Sequence, residues 1–221
     1  MHVEAHSNPN STARQPAMVL LSNGFLVDEH GTARPAWACS NELLRDYYDA
    51  EWGQPITGEQ AYFERLCLES FQAGLSWELI LRRRPTLREV FADFDPARVA
   101  EFTDADVENI LARPGMIRNE RKIRAVITNA RACVALRDDP DFPGGLEELV
   151  RSFAPAKKEC YGHSNDVPTK SEESAALAKT LKRKGFSFVG PTTMFALLEA
   201  IGLVKYDISP GTPVESAQAQ N

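Results

Sequence analysis

Glu69 is the residue of this chain whose surroundings most call for a chemical explanation. It lies in the segment LCLESFQAGLSW, one residue after Leu68 and two before Phe71, on a stretch otherwise patterned for burial. A carboxylate among apolar neighbours needs a partner or a task, because burying an unpaired charge is costly. All three tryptophans, Trp37, Trp52 and Trp77, fall within 41 residues, and Tyr47, Tyr48 and Phe71 lie among them. Such rings form either a core cluster or a pocket whose faces stack on a planar ligand. A structural salt bridge is the ordinary alternative for Glu69, and plain core packing is the ordinary alternative for Trp37 and Trp52.

A second group of residues points to phosphate. Residues 113–123 read RPGMIRNERKI, a helix end, a Pro-Gly turn and a new helix start. A tight turn of this kind presents backbone N–H groups to an anion, and the following helix N-terminus adds its dipole. From Arg113 to Arg131 there are six basic residues and one acid, a local +5. The blocks Arg82-Arg83-Arg84 and Lys182-Arg183-Lys184 are positioned to flank the same surface if the fold brings them together. A solvated basic face is the bland alternative. A third motif, KRKGFSFVGPTT at 182–193, is a helix-cap signal with some capacity to contact a phosphate or ligand.

The whole chain of 221 residues carries a net charge of −6, which taken alone argues against a nucleic-acid partner. Its distribution reverses that reading. Residues 89–108 hold seven acids against one base, so the acidity looks segregated from the basic hairpin. Cys39, Cys67, Cys133 and Cys160 form no CxxC pair or Cys/His cluster, which points to reduced thiols and a cytoplasmic protein. The four histidines sit in polar segments, so a histidine-centred site is not expected. No run of about 20 apolar residues is present, so no membrane span is expected.

The elements that must position these groups are almost all helical. Apolar residues recur at helical spacing after Asn41, from Glu59 to Leu75, from Thr103 to Leu111 and from Asn119 to Arg137. Ser76–Arg83 continues the second of these or begins a new helix after Gly74. Thr86–Phe94 reads as a short helix bracketed by Pro85 and Pro96. Leu146–Phe153, Glu172–Lys184 with Gly185 as its cap, and Pro191–Ile201 complete the set. The expectation is an all-α fold of eight to ten helices, with a strand and turn in 18–35. Residues 1–17 and 211–221 read as flexible tails around a domain at 18–210, built of two helical subdomains with a pocket between them.

The segments YYDAEWGQP, LESFQAGLSWELILRRR, FADFDPARVA, GMIRNERKIRAVITNA and LAKTLKRKGFSFVGPTTMFALLEAIGLV resemble the bacterial 3-methyladenine DNA glycosylase I family. Their order and spacing match from about Trp37 to Val204. The resemblance implies a helix–hairpin–helix fold that flips an N3-methylated adenine out of alkylated duplex DNA and hydrolyses its glycosidic bond. It makes Glu69 the carboxylate that contacts the base. Tyr47 and Trp77 stack on that base, with Trp37, Trp52 and Phe71 in support. Gln72, Gly74 and Leu75 enter the gap left in the duplex, and Gly115, Ile117, Arg118 and Lys122 meet the backbone. A monomer and a monofunctional enzyme without lyase activity are expected.

Many members of that family carry a zinc bound by Cys and His. Pro35, Tyr48, Asp207 and Gly211 stand at those positions here, so no metal cofactor is expected. Asp138 and Asp139 lie where other helix–hairpin–helix glycosylases keep a catalytic aspartate, although an acidic loop capping a helix is the simpler reading. The rival functions are a non-catalytic protein that binds alkylated DNA and a glycosylase with an altered alkyl-purine range.

Overall fold

The computed structural model describes residues 18–214. The expected 1–17 extension and the last residues of the expected tail therefore lie outside the described residues. Three short antiparallel strands come first, β1 (Val19–Leu20), β2 (Phe25–Val27) and β3 (Ala33–Pro35), paired in that order. Helices follow: α1 (Glu42–Ala50), α2 (Glu59–Gln72), α3 (Trp77–Val90), α4 (Pro96–Ala100), α5 (Asp104–Ala112), α6 (Glu120–Ala135) and α7 (Gly145–Arg151). Strand β4 (Glu159–Tyr161), helices α8 (Glu172–Arg183) and α9 (Pro191–Ala200), and strand β5 (Tyr206–Ile208) complete the order.

The helices start where side chains can satisfy their free N–H groups. Asn41 accepts from Leu44 N at 3.0 Å, Ser76 from Leu79 N at 3.2 Å and Asn119 from Lys122 N at 3.2 Å. Helix α2 is the central element, with every residue from Leu66 to Phe71 buried. It packs against α9 on one side and against α3, α6 and α7 on others. Cys67 and Cys133 are part of this core, as small hydrophobes. Tyr47, Leu44 and Leu81 form a smaller cluster that reaches it through Trp77.

Four features depart from the expectations. Helix α3 runs straight through Pro85, which was expected to end a helix. At this position the missing N–H costs one bond, and burial of Leu81 and Leu87 on either side holds the helix together. The strand and turn at 18–35 is a three-stranded sheet. A parallel pair, β4 with β5, joins Glu159–Tyr161 to Tyr206–Ile208, where no strand was expected. Finally, residues 211–214 are not free: Ser22 N donates to Thr212 O, Val214 N donates to Leu20 O, and Leu21 bridges Pro213. The ordered unit therefore extends past 210, because the start of the expected tail pairs with β1.

Candidate functional site: an aromatic pocket beside a glycine hairpin

The C-terminal part of α2, the start of α3, the helix α1 and the helix α9 enclose a cavity of about 540 Å³. Trp37, Tyr47, Trp52, Glu69, Gln72 and Trp77 all line it. Tyr47 lies 5.3 Å from Trp77 between ring centroids, and Trp37 lies 6.1 Å from Trp52. Trp37 is 37% exposed, so the aromatic group opens to solvent at that end. Buried Trp77 Nε1 has no hydrogen-bond partner among the described residues.

Glu69 sits at the wall of this cavity with 5% of its surface exposed. No hydrogen bond or ion pair to its carboxylate is found among the described residues, so the salt-bridge alternative does not apply. Burial pushes its pKa up to about 8, opposed by Arg65 and helped by Glu199. Arg65 is occupied elsewhere: it donates to the Tyr47 hydroxyl at 3.3 Å and to Glu51 at 2.6 Å, with its guanidinium 5.6 Å from the Tyr47 ring centre. Arg84 binds both Glu51 and Glu64, and Arg88 also binds Glu64. These pairs lock α1, α2 and α3 behind the pocket and hold the Tyr47 ring in place.

Phe71 corrects the sequence reading. It is fully buried, 6.0 Å from Phe91, and takes no part in the pocket lining. It lies two positions after Glu69, so two 100° helical steps point the side chains in widely different directions. Among the lining residues that sequence reasoning missed, Glu199 and Tyr206 are a bonded acid and hydroxyl. Their only signal was a glutamate inside the otherwise apolar run MFALLEAIGLV.

Between α2 and α3 the chain turns at Gly74, with φ at +78°, a conformation that glycine adopts without steric cost. Ala73, Gly74 and Ser76 are exposed, and Leu75 is half-buried against the core. Gln72 Nε2 reaches Leu75 O at 3.4 Å and closes the turn. Between α5 and α6, Gly115 has φ at +80°, and Met116 N donates to Arg113 O. Gly115 and Arg118 are exposed, whereas Ile117 packs half-buried on the core. A Cβ at Gly115 would lie 3.1 Å from Arg83 Nη1, so one member of the Arg82–Arg84 block does flank this hairpin.

Lys122 is a second correction. It is buried, and its ammonium donates to Phe71 O at 2.7 Å and Ala73 O at 2.6 Å. Burial lowers its pKa. It ties α6 to the end of α2 instead of facing a phosphate. The local +5 is consumed in similar ways. Arg113 pairs with Glu89, Arg124 with Asp104 and Glu120, and Arg131 with the carbonyls of Ala100 and Phe102. The acidic stretch is thus partly interleaved with the basic one, not segregated from it. Among the described residues, Arg83 and Arg118 form no ion pair at the hairpin.

The other motifs are structural. Asn129 is fully buried and grips Ser187 twice, accepting from its N–H at 2.7 Å and donating to its carbonyl at 3.1 Å. That clamps the GFSFVG loop to α6. Asp139 is held by Lys184 at 2.6 Å, which keeps its carboxyl below the usual range. Neither Asp138 nor Asp139 lines the pocket.

The positions where the resembled family binds zinc do not fit a metal. Pro35 has no donor, and the Tyr48 ring stacks on Trp52 at 5.2 Å with its hydroxyl kept protonated by burial. Asp207 pairs with Lys158 at 2.6 Å. A Cβ on Gly211 would collide with Asn23 Cγ at 2.6 Å. Asn23 does the joining instead: it donates to Ser209 O at 2.9 Å, and its own Oδ1 accepts from Phe25 N. Among the described residues no group of three or more His, Cys, Asp or Glu is arranged to hold a metal.

A mostly helical body around a pocket of this kind is that of a DNA glycosylase. Similarity of sequence leads to the same place. The chain belongs to the methyladenine glycosylase family, whose model matches residues 37–210. A Haemophilus influenzae protein named DNA-3-methyladenine glycosylase is 38% identical over 175 residues, covering 78% of this chain and 93% of that one. A crystal structure of a 3-methyladenine DNA glycosylase I is 39% identical, with a TM-score of 0.70 over 77% of this chain and 93% of its own. The Staphylococcus aureus enzyme, solved to explain its recognition of 3-methyladenine, is 34% identical with a TM-score of 0.69, covering 76% and 88%.

Proposed function

We propose that the protein is a DNA-3-methyladenine glycosylase that hydrolyses the N-glycosidic bond of the methylated base in duplex DNA. The observation that carries this reading is the carboxylate of Glu69, unpaired among the described residues, in the wall of an aromatic cavity. N3-methylation gives adenine a positive charge in DNA. A neutral adenine offers Glu69 no compensation for its burial, whereas a cation does, and the aromatic faces of Tyr47 and Trp77 add cation–π attraction. Selectivity then follows from charge.

The steps fit the chain's own groups. The hairpin at Gly115, with Arg118 and Arg83, holds the phosphates, and the Gln72–Leu75 turn supports the gap left by the flipped nucleotide. Tyr47 and Trp77 stack on the base while Trp37 and Trp52 wall the pocket. As the cation arrives, the proton that Glu69 holds near neutral pH passes to solvent. The glycosidic bond, weakened by the base's charge, breaks with the electron pair leaving on the base, and water adds at C1′ with loss of its proton. The carboxylate stabilises the oxocarbenium-like transition state. No lysine nucleophile enters, so strand cleavage does not follow. We propose that the enzyme works without zinc, as a monomer, in the cytoplasm. No helix among the described residues is long and apolar enough to cross a membrane.

Release of 3-methyladenine from methylated duplex DNA tests the reading. Excision by the wild-type chain and strong loss in Glu69→Gln support it. Binding to methylated DNA with no base release would make the protein a non-catalytic binder. Release of other alkylated bases in preference would set a different range.

A further inference from the structure

A second carboxylate opens on the same pocket. Helix α9 carries Glu199, which lines the cavity together with Glu69 of the adjacent helix α2. The Tyr206 hydroxyl, from β5, donates to Glu199 Oε1 at 2.9 Å, and Tyr206 is itself part of the lining. Neither carboxylate forms an ion pair among the described residues. The two are close enough for the charge on Glu199 to raise Glu69. Two acids that form no ion pair among the described residues, on adjacent helices and facing one cavity, make a costly arrangement that a cationic occupant relieves.

We infer that Glu199 is a second base-recognition residue, which with Glu69 brackets a flipped, positively charged purine, and that Tyr206 positions it. This rests on reading the cavity as the methylated-base site. The groups around Glu199 are consistent with that role. Tyr206 of β5 bonds it, Tyr161 of β4 and Glu69 of α2 feel its charge, and Tyr48 of α1 faces Tyr206. The nearest positive charge on the Glu69 side, Arg65, is already bound to Tyr47 and Glu51. Burial pushes Glu199 up to about 7, against the Tyr206 hydrogen bond. The empty pair therefore keeps a proton near neutral pH. A cationic base displaces that proton to water, so productive binding strengthens as pH rises.

Two substitutions separate this role from simple packing. Glu199→Gln removes one of two charges, and kcat/KM for the cationic lesion falls about 10- to 100-fold, as for loss of a hydrogen bond to a charged group. The pH profile moves to lower pH, because the amide no longer raises Glu69. Tyr206→Phe keeps both acids and loses the donor that favours ionised Glu199. Its loss is smaller and its profile moves to higher pH. The experiment is base release from methylated duplex DNA by the full chain, from about pH 6 to 9, with a thermal melt of each variant. Opposite shifts of the two profiles support the inference. A Glu199→Gln variant with wild-type rate and midpoint overturns it, as do folded variants that lose rate without any shift. A wild-type chain that releases no methylated purine overturns the base-site reading and this inference together. An active wild type with unmoved variants overturns the inference alone.

Discussion

Replacing Glu69 by glutamine should make the protein more stable while it makes the enzyme less active. In the unfolded chain this carboxyl ionises near 4.5, and in the fold it does so only near about 8. Between those values the folded state holds one more proton than the unfolded state, so wild-type stability falls as pH rises and levels off above about 8. Below 4.5 both states are protonated and the penalty vanishes. At pH 7 the penalty spans the interval from 4.5 to 7, at about 1.4 kcal/mol per unit, which gives about 3 kcal/mol. Glutamine occupies nearly the same volume without a titrating proton. The stability difference between Glu69→Gln and wild type should therefore grow from near zero at pH 4.5 to about 3 kcal/mol at pH 7. For a chain of this length that corresponds to a rise of roughly 6–12 °C in Tm. Thermal or urea melts at a series of pH values read it directly. Two curves that run parallel across this range would refute the reasoning, because they would show a carboxylate that is solvated or paired in the fold.

Lys122→Met leaves the carbonyls of Phe71 and Ala73 without their donor and should cost about 2–4 kcal/mol. It should leave the salt dependence of DNA binding unchanged, whereas Arg118→Ala should lower the slope of log K against log salt by about 0.9. Fluorescence anisotropy at several salt concentrations compares them, and equal changes in slope would return Lys122 to the DNA surface. Gly115→Ala forces a left-handed alanine and should cost about 1–2 kcal/mol, with DNA affinity reduced as the hairpin distorts. Asn23→Ala should cost about 1–3 kcal/mol by opening the contact to Ser209. A chelator should leave the wild-type melt unmoved, and one equivalent of zinc found by metal analysis would contradict that expectation.

The helices were legible because their periodicity and caps are local. Asn41, Ser76 and Asn119 stand in the residue order where their helices begin. Glu69 and Tyr47 were legible because a buried acid and a dense group of rings are compositional anomalies. What was not legible depends on distance along the chain. Lys122 looked like one more cation of a basic run, and only its contact with α2, some fifty residues earlier, makes it a buried strut. Phe71 looked like a pocket ring because it adjoins Glu69 in sequence, yet the helical step turns it toward Phe91. Pro85 carries a strong local signal for a break, which the burial of its neighbours overrides. Glu199 needed the packing of α9 on α2, and Tyr206 the pairing of β4 with β5, non-local events that no short pattern announces.

The joint between the two chain ends has a chemical property that a thiolate-bound metal would lack. Its bonds are made by the Asn23 amide, backbone N–H and carbonyl groups and the hydroxyls of Ser22 and Thr212. Agents that methylate adenine also attack thiolates, which are far stronger nucleophiles than amides or alcohols. Cys160 is a nearby thiol: its backbone pairs beside Asp207 in the β4–β5 ladder, and its Sγ approaches Ser209 Oγ at 3.9 Å. The same exposure that creates the lesions therefore meets no thiolate among the groups that bond this joint in the described residues.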